Sequence, residues 1–335
     1  MHQFSNHPLY NKHNIDSAIS SLWDFYKKHF LVLFLASLCM SLIVQYASSM
    51  INLKELQTIT DPAVMLEKIK NYIVPILLIS VLNLLFSTFI QYYVIYNPLN
   101  SDNNIFISAV RSLKHFIPYL ILMVLLAFAG SIAIALGLVL LVVGAIFSVI
   151  YILTLYFFIL PVLMVEGNNI ANAITRTIKL AHKNFWSNIG LVSVFLIILI
   201  VISIMLSSMI LLPFSGDLLN SIINPEAGAI DTIKITENPA YIFLSAAVSA
   251  LTLPLMPIFS TIVYFNSRAR EEQDQNVTPT EPEDGRVKVE DLYAKPYSDE
   301  NIDPQENTEK PNIKVEDLYA KPYSDDNPDN PEKSK

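Results

Sequence analysis

The stretch Phe116–Val165, FIPYLILMVLLAFAGSIAIALGLVLLVVGAIFSVIYILTLYFFILPVLMV, runs for 50 residues without an Asp, Glu, Lys, Arg or His. As one straight helix it would be about 75 Å long, more than twice the ~30 Å hydrocarbon thickness of a bilayer. It must fold back on itself as two spans. The turn near Leu138–Gly144 holds no polar residue, and Gly137 and Gly144 are expected to supply its permissive backbone.

Four further apolar segments flank this pair, so the spacing predicts spans at 30–51, 72–96, 117–137, 143–164, 189–212 and 241–264. The fold class is all-α, a polytopic membrane protein of about six transmembrane helices with interfacial amphipathic helices and a disordered cytosolic tail. A composition of 53% hydrophobic and 16% charged residues excludes an ordinary soluble domain, whose surface needs more charge. Cys39, the sole cysteine, excludes an intrachain disulfide and a thiolate metal cluster, and its apolar neighbours predict an inert core thiol.

The net charge of -8 is segregated: residues 271–335 hold 19 Asp+Glu against 8 Lys+Arg, leaving the membrane part mildly basic. Lys12, Lys27, Lys28, Arg111, Lys114, Arg176, Lys179, Lys183, Arg268 and Arg270 fall on one side of the predicted spans. Only Lys54, Lys68, Lys70 and Lys234 fall on the other, which places both termini in the cytoplasm. The first apolar segment follows a polar N-terminal stretch of 29 residues and is expected to stay as a signal anchor. The domains are then 1–29, a cytosolic segment; 30–272, the six-helix membrane domain; and 273–335, an acidic tail.

Three cytosolic segments share one amphipathic design. Ile170, Ala173, Ile174, Ile178, Ala181 and Phe185 recur at helical spacing with Arg176, Lys179 and Lys183 opposite. Phe106, Ala109, Val110 and Leu113 repeat the pattern beside Arg111 and Lys114, as do Ile15, Ala18, Ile19 and Leu22 before Lys27 and Lys28. The first and third copies align without gaps, Ala18 with Ala173 and Phe30 with Phe185. These features predict a threefold repeat of interfacial helix, span and return span. Lys27, Lys28, Arg111, Lys114, Arg176, Lys179 and Lys183 become candidate lipid-facing cations, with membrane lipids as partners. Asp61–Lys70 reads as a further short helix, capped by Asp61 with Pro62 in its first turn.

The tail carries its own duplication: VEDLYAKPYSD at 289–299 recurs at 315–325. Leu292, Tyr293, Tyr297, Leu318, Tyr319 and Tyr323 are its large anchors and form a candidate motif for a cytosolic protein partner. A partner with two sites would gain avidity from two copies on one chain.

No residue pattern marks a catalytic, cofactor or metal site, and no nucleic-acid partner is expected. The six histidines lie outside the predicted spans without ligand-pair spacing, and His2, His7 and His13 read as part of a solvated arm. Asn83 is expected to bond another helix, Glu166 to pair with Arg176, and Pro254 and Pro257 to kink the last span.

Pro161, Glu166, Ala173-Ile-Thr-Arg-Thr177, Leu180 and Lys183-Asn-Phe-Trp-Ser-Asn-Ile-Gly190 form one signature, and Thr261-Ile-Val-Tyr-Phe-Asn-Ser-Arg-Ala-Arg-Glu-Glu272 a second. Together they resemble the multi-span membrane domain found attached to some bacterial glycerophosphoryl diester phosphodiesterases and in many stand-alone bacterial proteins. The resemblance implies architecture and a bacterial inner-membrane address. It brings no chemistry: the phosphodiesterase resides in a separate barrel of roughly 250 residues, for which the chain after Glu272 has no room. The expected function is that of a non-enzymatic membrane or envelope scaffold with a recruiting tail. The alternative is a transporter for a small or amphiphilic solute.

Overall fold

The structure is a computed structural model, described over residues 4–49, 61–100, 104–216, 219, 223 and 238–276. The described residues form helices and no strand: α1 (Ile15–Lys28), α2 (Phe30–Ser49), α3 (Pro62–Tyr96), α4 (Ile105–Val139), α5 (Leu141–Glu166), α6 (Ile170–Lys183), α7 (Phe185–Leu211), α8 (Pro239–Thr252) and α9 (Leu255–Asn276). Six helical stretches are long and apolar enough to cross a membrane, with α8 and α9 together making the last. The tail motif residues 289–299 and 315–325 lie outside the described residues.

The threefold repeat is visible in the helix boundaries. Asn14, Asn104 and Asn169 each cap a helix with the side-chain oxygen. The α1–α2 break at His29 corresponds to the α6–α7 break at Asn184. Ala18, Leu22, Phe25 and Tyr26 are buried in α1, and Ala173, Thr177, Leu180 and Ala181 in α6. The middle copy differs: its amphipathic segment is continuous with the span as the 35-residue α4, which runs through the corresponding position Tyr119 even though Pro118 precedes it. Asp61–Lys70 likewise forms the first turns of α3, with Asp61 as N-cap.

The spans close into a ring in which α2, α3, α4, α5, α7 and α8 pack in turn and α8 returns to α2. Where α2 meets α8, Ser37 and Ser41 on one helix and Ala246 and Ala250 on the other are all buried. These small residues, four apart, let the two backbones approach closely. At Leu253–Pro254 the last span breaks, as its prolines predict. Beyond the break α9 leaves the rim and packs against α3, α5, α6 and α1.

The core therefore lies at one end of the bundle, here called the near end. The C-terminal runs of the three return helices are buried there without a break: Tyr92–Ile95, Phe157–Met164 and Ile258–Phe265, including Pro161 and the polar Ser260 and Thr261. Phe195 and Phe259 stack with ring centroids 3.8 Å apart, and Phe157 meets both edge-on. Toward the far end the helices are largely exposed, consistent with apolar surface facing lipid.

Two sequence readings are corrected in the spans. The α4–α5 turn takes its positive φ at Leu141 (64°), not at a glycine. Gly137 and Gly144 instead allow close backbone approach, since a Cβ on Gly137 would lie 2.7 Å from the Gly144 carbonyl oxygen. Cys39 sits on an exposed face of α2 rather than in the core, because Leu33, Ser37 and Ser41 define the buried stripe.

Candidate functional site

Three return helices and α6 bring their polar ends together at the near end. Arg176, on α6, donates from Nε to Glu166 Oε2 at 2.7 Å and from Nη1 to Glu271 Oε1 at 2.9 Å. Its Nη2 also pairs with Glu271 Oε2, so the Arg176–Glu271 contact is bidentate. Glu166 Oε1 accepts from Tyr264 Oη at 2.9 Å and from Arg268 Nη1 at 3.1 Å. The Arg176 and Glu271 side chains are only 17% and 7% exposed, so low polarity strengthens the pairing. Hydrogen bonding to Glu271 pushes the Arg176 guanidinium up from its ordinary value.

The second signature supplies most of this knot. Asn266 Oδ1 accepts from the His13 backbone N–H at 2.9 Å, Ser267 donates to Asn188 Oδ1 at 3.2 Å, and Arg270 Nη2 donates to the His13 carbonyl at 2.9 Å. Asn188, from the first signature, donates to the Leu180 and Ala181 carbonyls at 3.1 Å each. It thereby satisfies the end of α6 where the chain turns into α7. Two motifs far apart in sequence thus form one network.

Residues 4–13 are not a solvated arm, which overturns the sequence reading. His7 and His13 are 3% and 4% exposed. His7 Nδ1 accepts the Leu9 N–H and Nε2 donates to the Val94 carbonyl, both at 3.1 Å, while the ring packs 4.9 Å from Phe265. These partners fix one neutral tautomer. Burial lowers the His7 pKa to about 4, and burial likewise lowers those of His13 and His29. Phe4 and Tyr10 flank Phe265 at 6.0 and 5.2 Å, seating the segment where the three return helices meet. A 170 Å³ pocket remains beneath it between Tyr10, Glu166 and Arg268.

The candidate lipid-facing cations divide. Lys27, Lys28, Arg111 and Lys114 are exposed around the near end, alongside exposed Trp23, Phe106, Val110, Leu113 and Trp186. Arg176 points inward into the ion network. Lys179 lies 3.9 Å from Glu271 and Lys183 lies 3.0 Å from Asp274, so both stay at the surface with acidic neighbours on α9. Leu292, Tyr293, Tyr297, Leu318, Tyr319 and Tyr323 lie outside the described residues. Among the described residues no group of three or more His, Cys, Asp or Glu could hold a metal.

A second feature lies within the membrane-spanning region, a 550 Å³ crevice between α3, α4, Tyr156 of α5 and the α8–α9 break. Ser80, Asn83 and Ser87 share one face of α3 along it. Asn83 donates to its own helix at the Ile79 carbonyl, 3.0 Å away, rather than to a neighbouring helix as expected from sequence. Ile90 closes the near end of the crevice, and just beyond it Gln91 donates to Thr261 at 2.6 Å. Both Ile90 and Gln91 are buried, so the crevice ends blind.

No protein-family model, no curated protein and no solved structure matches this chain.

Proposed function

We propose that the chain is a non-enzymatic integral protein of a bacterial inner membrane, with both termini cytoplasmic, that scaffolds membrane or envelope components. Its six-helix domain would present the duplicated tail motif to a cytosolic partner. One observation carries this reading: the near end is a closed plug. Its carboxylates and guanidiniums bond one another, and residues 4–13 seat over the junction of the return helices. The basic side chains left exposed around the plug suit anionic headgroups, and the excess of cations on that side supports its cytoplasmic placement.

The test is affinity capture of the full chain, of a truncation after Asn276, and of Tyr293→Ala/Tyr319→Ala. A partner retained by the full chain and lost with either change supports recruitment by the tail. Identical capture by all three overturns it. The transporter reading draws its support from the crevice, yet a carrier must open the plug. Solute flux in proteoliposomes that disappears when residues 4–13 are cross-linked to α9 would favour a carrier over the scaffold.

A further inference from the structure

The geometry points to the 550 Å³ crevice as a binding site for a neutral, single-chain membrane lipid bearing a hydroxyl or carbonyl group, held through Asn83. The volume lies within the range of about 300–1,000 Å³ typical of small-molecule sites. Its position decides the medium of its ligand. The crevice is walled by membrane-spanning helices, and Leu77 and Val124 on its wall are 58% and 63% exposed. Molecules reach it from the hydrocarbon phase rather than from water.

Its chemistry decides the head group. No ionisable Asp, Glu, Lys, Arg or His lines the crevice, so a charged head would enter without a counter-charge at heavy desolvation cost. A neutral head meets polar partners. Asn83 uses one amide N–H on the Ile79 carbonyl, leaving the carbonyl oxygen and second N–H of its side chain directed to no other group described here. An amide left this way in hydrocarbon is unfavourable, and a ligand hydroxyl or carbonyl relieves it. Across the crevice, Pro257 has no N–H to return to the Leu253 carbonyl four residues earlier, and both residues line the wall. The blind near end at Ile90 accommodates the end of an apolar chain but gives it no exit. The assignment does not depend on the tail: truncation after Asn276 leaves the crevice intact.

The experiment is photo-crosslinking of the purified full chain in detergent and in vesicles with a long-chain fatty alcohol carrying a diazirine. The matching alkane and the ionised fatty acid serve as controls, with labelled peptides mapped by mass spectrometry. Labelling of the alcohol should concentrate on residues 77–90 and 120–127 and be displaced by unlabelled alcohol. Asn83→Leu should weaken alcohol binding about tenfold while leaving the alkane unchanged, the loss of one intramembrane hydrogen bond. Asn83 is exposed and bonds only its own helix among the described residues, so the variant should fold. Val124→Trp, on the exposed wall, provides a second variant that should block the alcohol and the alkane by filling the space. Labelling spread over every exposed helix face and unaffected by Val124→Trp would overturn the site. Equal labelling by the ionised acid, or no loss with Asn83→Leu, would overturn the neutral head group.

Discussion

At the near end, Arg176 ties Glu166 on α5 to Glu271 on α9, and Arg270 ties α9 to His13. At the far end, the α4–α5 hairpin turns through Leu138–Val143, each residue 60–78% exposed, with no side-chain cap on α5. The difference teaches where a membrane bundle finds its specificity. Between helices in lipid, apolar contact carries little net driving force because acyl chains are equally apolar. Helices must then be joined by polar bonds or by close backbone approach. The near end uses charged knots where headgroups and water begin. The far half relies on glycine and small-residue contacts: Gly137 with Gly144, and the Ser37, Ser41, Ala246 and Ala250 set.

If the near end dominates stability, Glu271→Ala should destabilise the protein most. It leaves Arg176 half-buried with Glu166 alone, and loss of one partner from a buried pair costs about 3 kcal/mol. Thermal unfolding in detergent measures it. The reversed pair Arg176→Glu/Glu271→Arg should not recover the loss, because a carboxylate at 176 would face Glu166 and a guanidinium at 271 would face Arg268 and Lys179. As a far-end control, Leu136→Ala, at a site 65% exposed, should change stability by less than about 0.5 kcal/mol. Equal losses at both ends would erase the distinction drawn here.

The next largest effect is a pH dependence confined to the near end. Burial holds the His7 pKa at about 4 in the folded state, below the ordinary value of 6.5. Between those values the unfolded chain binds a proton that the folded chain refuses. The stabilisation is therefore fully present above pH 6.5 and lost as pH falls toward 4, by about 2 kcal/mol near pH 4.5. His13 and His29 are shifted in the same direction and add to the slope. Hydrogen exchange should show residues 4–13 opening first on acidification. His7→Gln should flatten the profile in that window, and an unchanged slope would show that the segment does not carry the effect.

Much of this was legible in the sequence, and the exceptions have physical causes. Charge-free runs disclose spans because ionised side chains are unfavourable in hydrocarbon, and gapless alignment of Ile15–Lys28 with Ile170–Lys183 disclosed the repeat. Glu166 with Arg176 was readable from their proximity in sequence. Glu271 was not, because it lies beyond the predicted end of the last span and reaches Arg176 only after the proline break swings α9 inward. His7 and His13 were misread because residues 4–13 form turns without periodicity, and one anchor, Asn266, is 253 residues from His13. The crevice was invisible because it arises from the inward turn of α9 rather than from any one segment.

A smaller loss should follow crowding at the far end. Gly144→Val would place a Cβ within 2.4 Å of the Gly137 carbonyl oxygen and 2.6 Å of Leu140 Cβ, so the hairpin must splay. Overpacking of this kind costs about 1–2 kcal/mol. Because the turn is surrounded by exposed apolar residues, relaxation into lipid should keep the loss below that of Glu271→Ala. Cysteine cross-linking between α4 and α5 near the turn reports the opening.

The smallest effect is expected at the end of α9, where the tail begins. The sequence boundary at 272 falls inside a helix that continues to Asn276, and Asp274 pairs with Lys183 at 3.0 Å. That pair is open to water, with 62% of the Asp274 side chain exposed, so it is worth at most about 0.5 kcal/mol and salt screens it. Truncation after Glu272 should therefore cost a few tenths of a kcal/mol, and truncation after Asn276 nothing measurable. The acidic composition beyond Asn276 offers few apolar anchors besides Leu292, Tyr293, Tyr297 and their repeats. Detergent unfolding curves of the two truncations and the full chain measure the difference. A loss above 1 kcal/mol on truncation after Asn276 would mean that the tail packs on the membrane domain, making it part of the plug rather than a free recruiting segment.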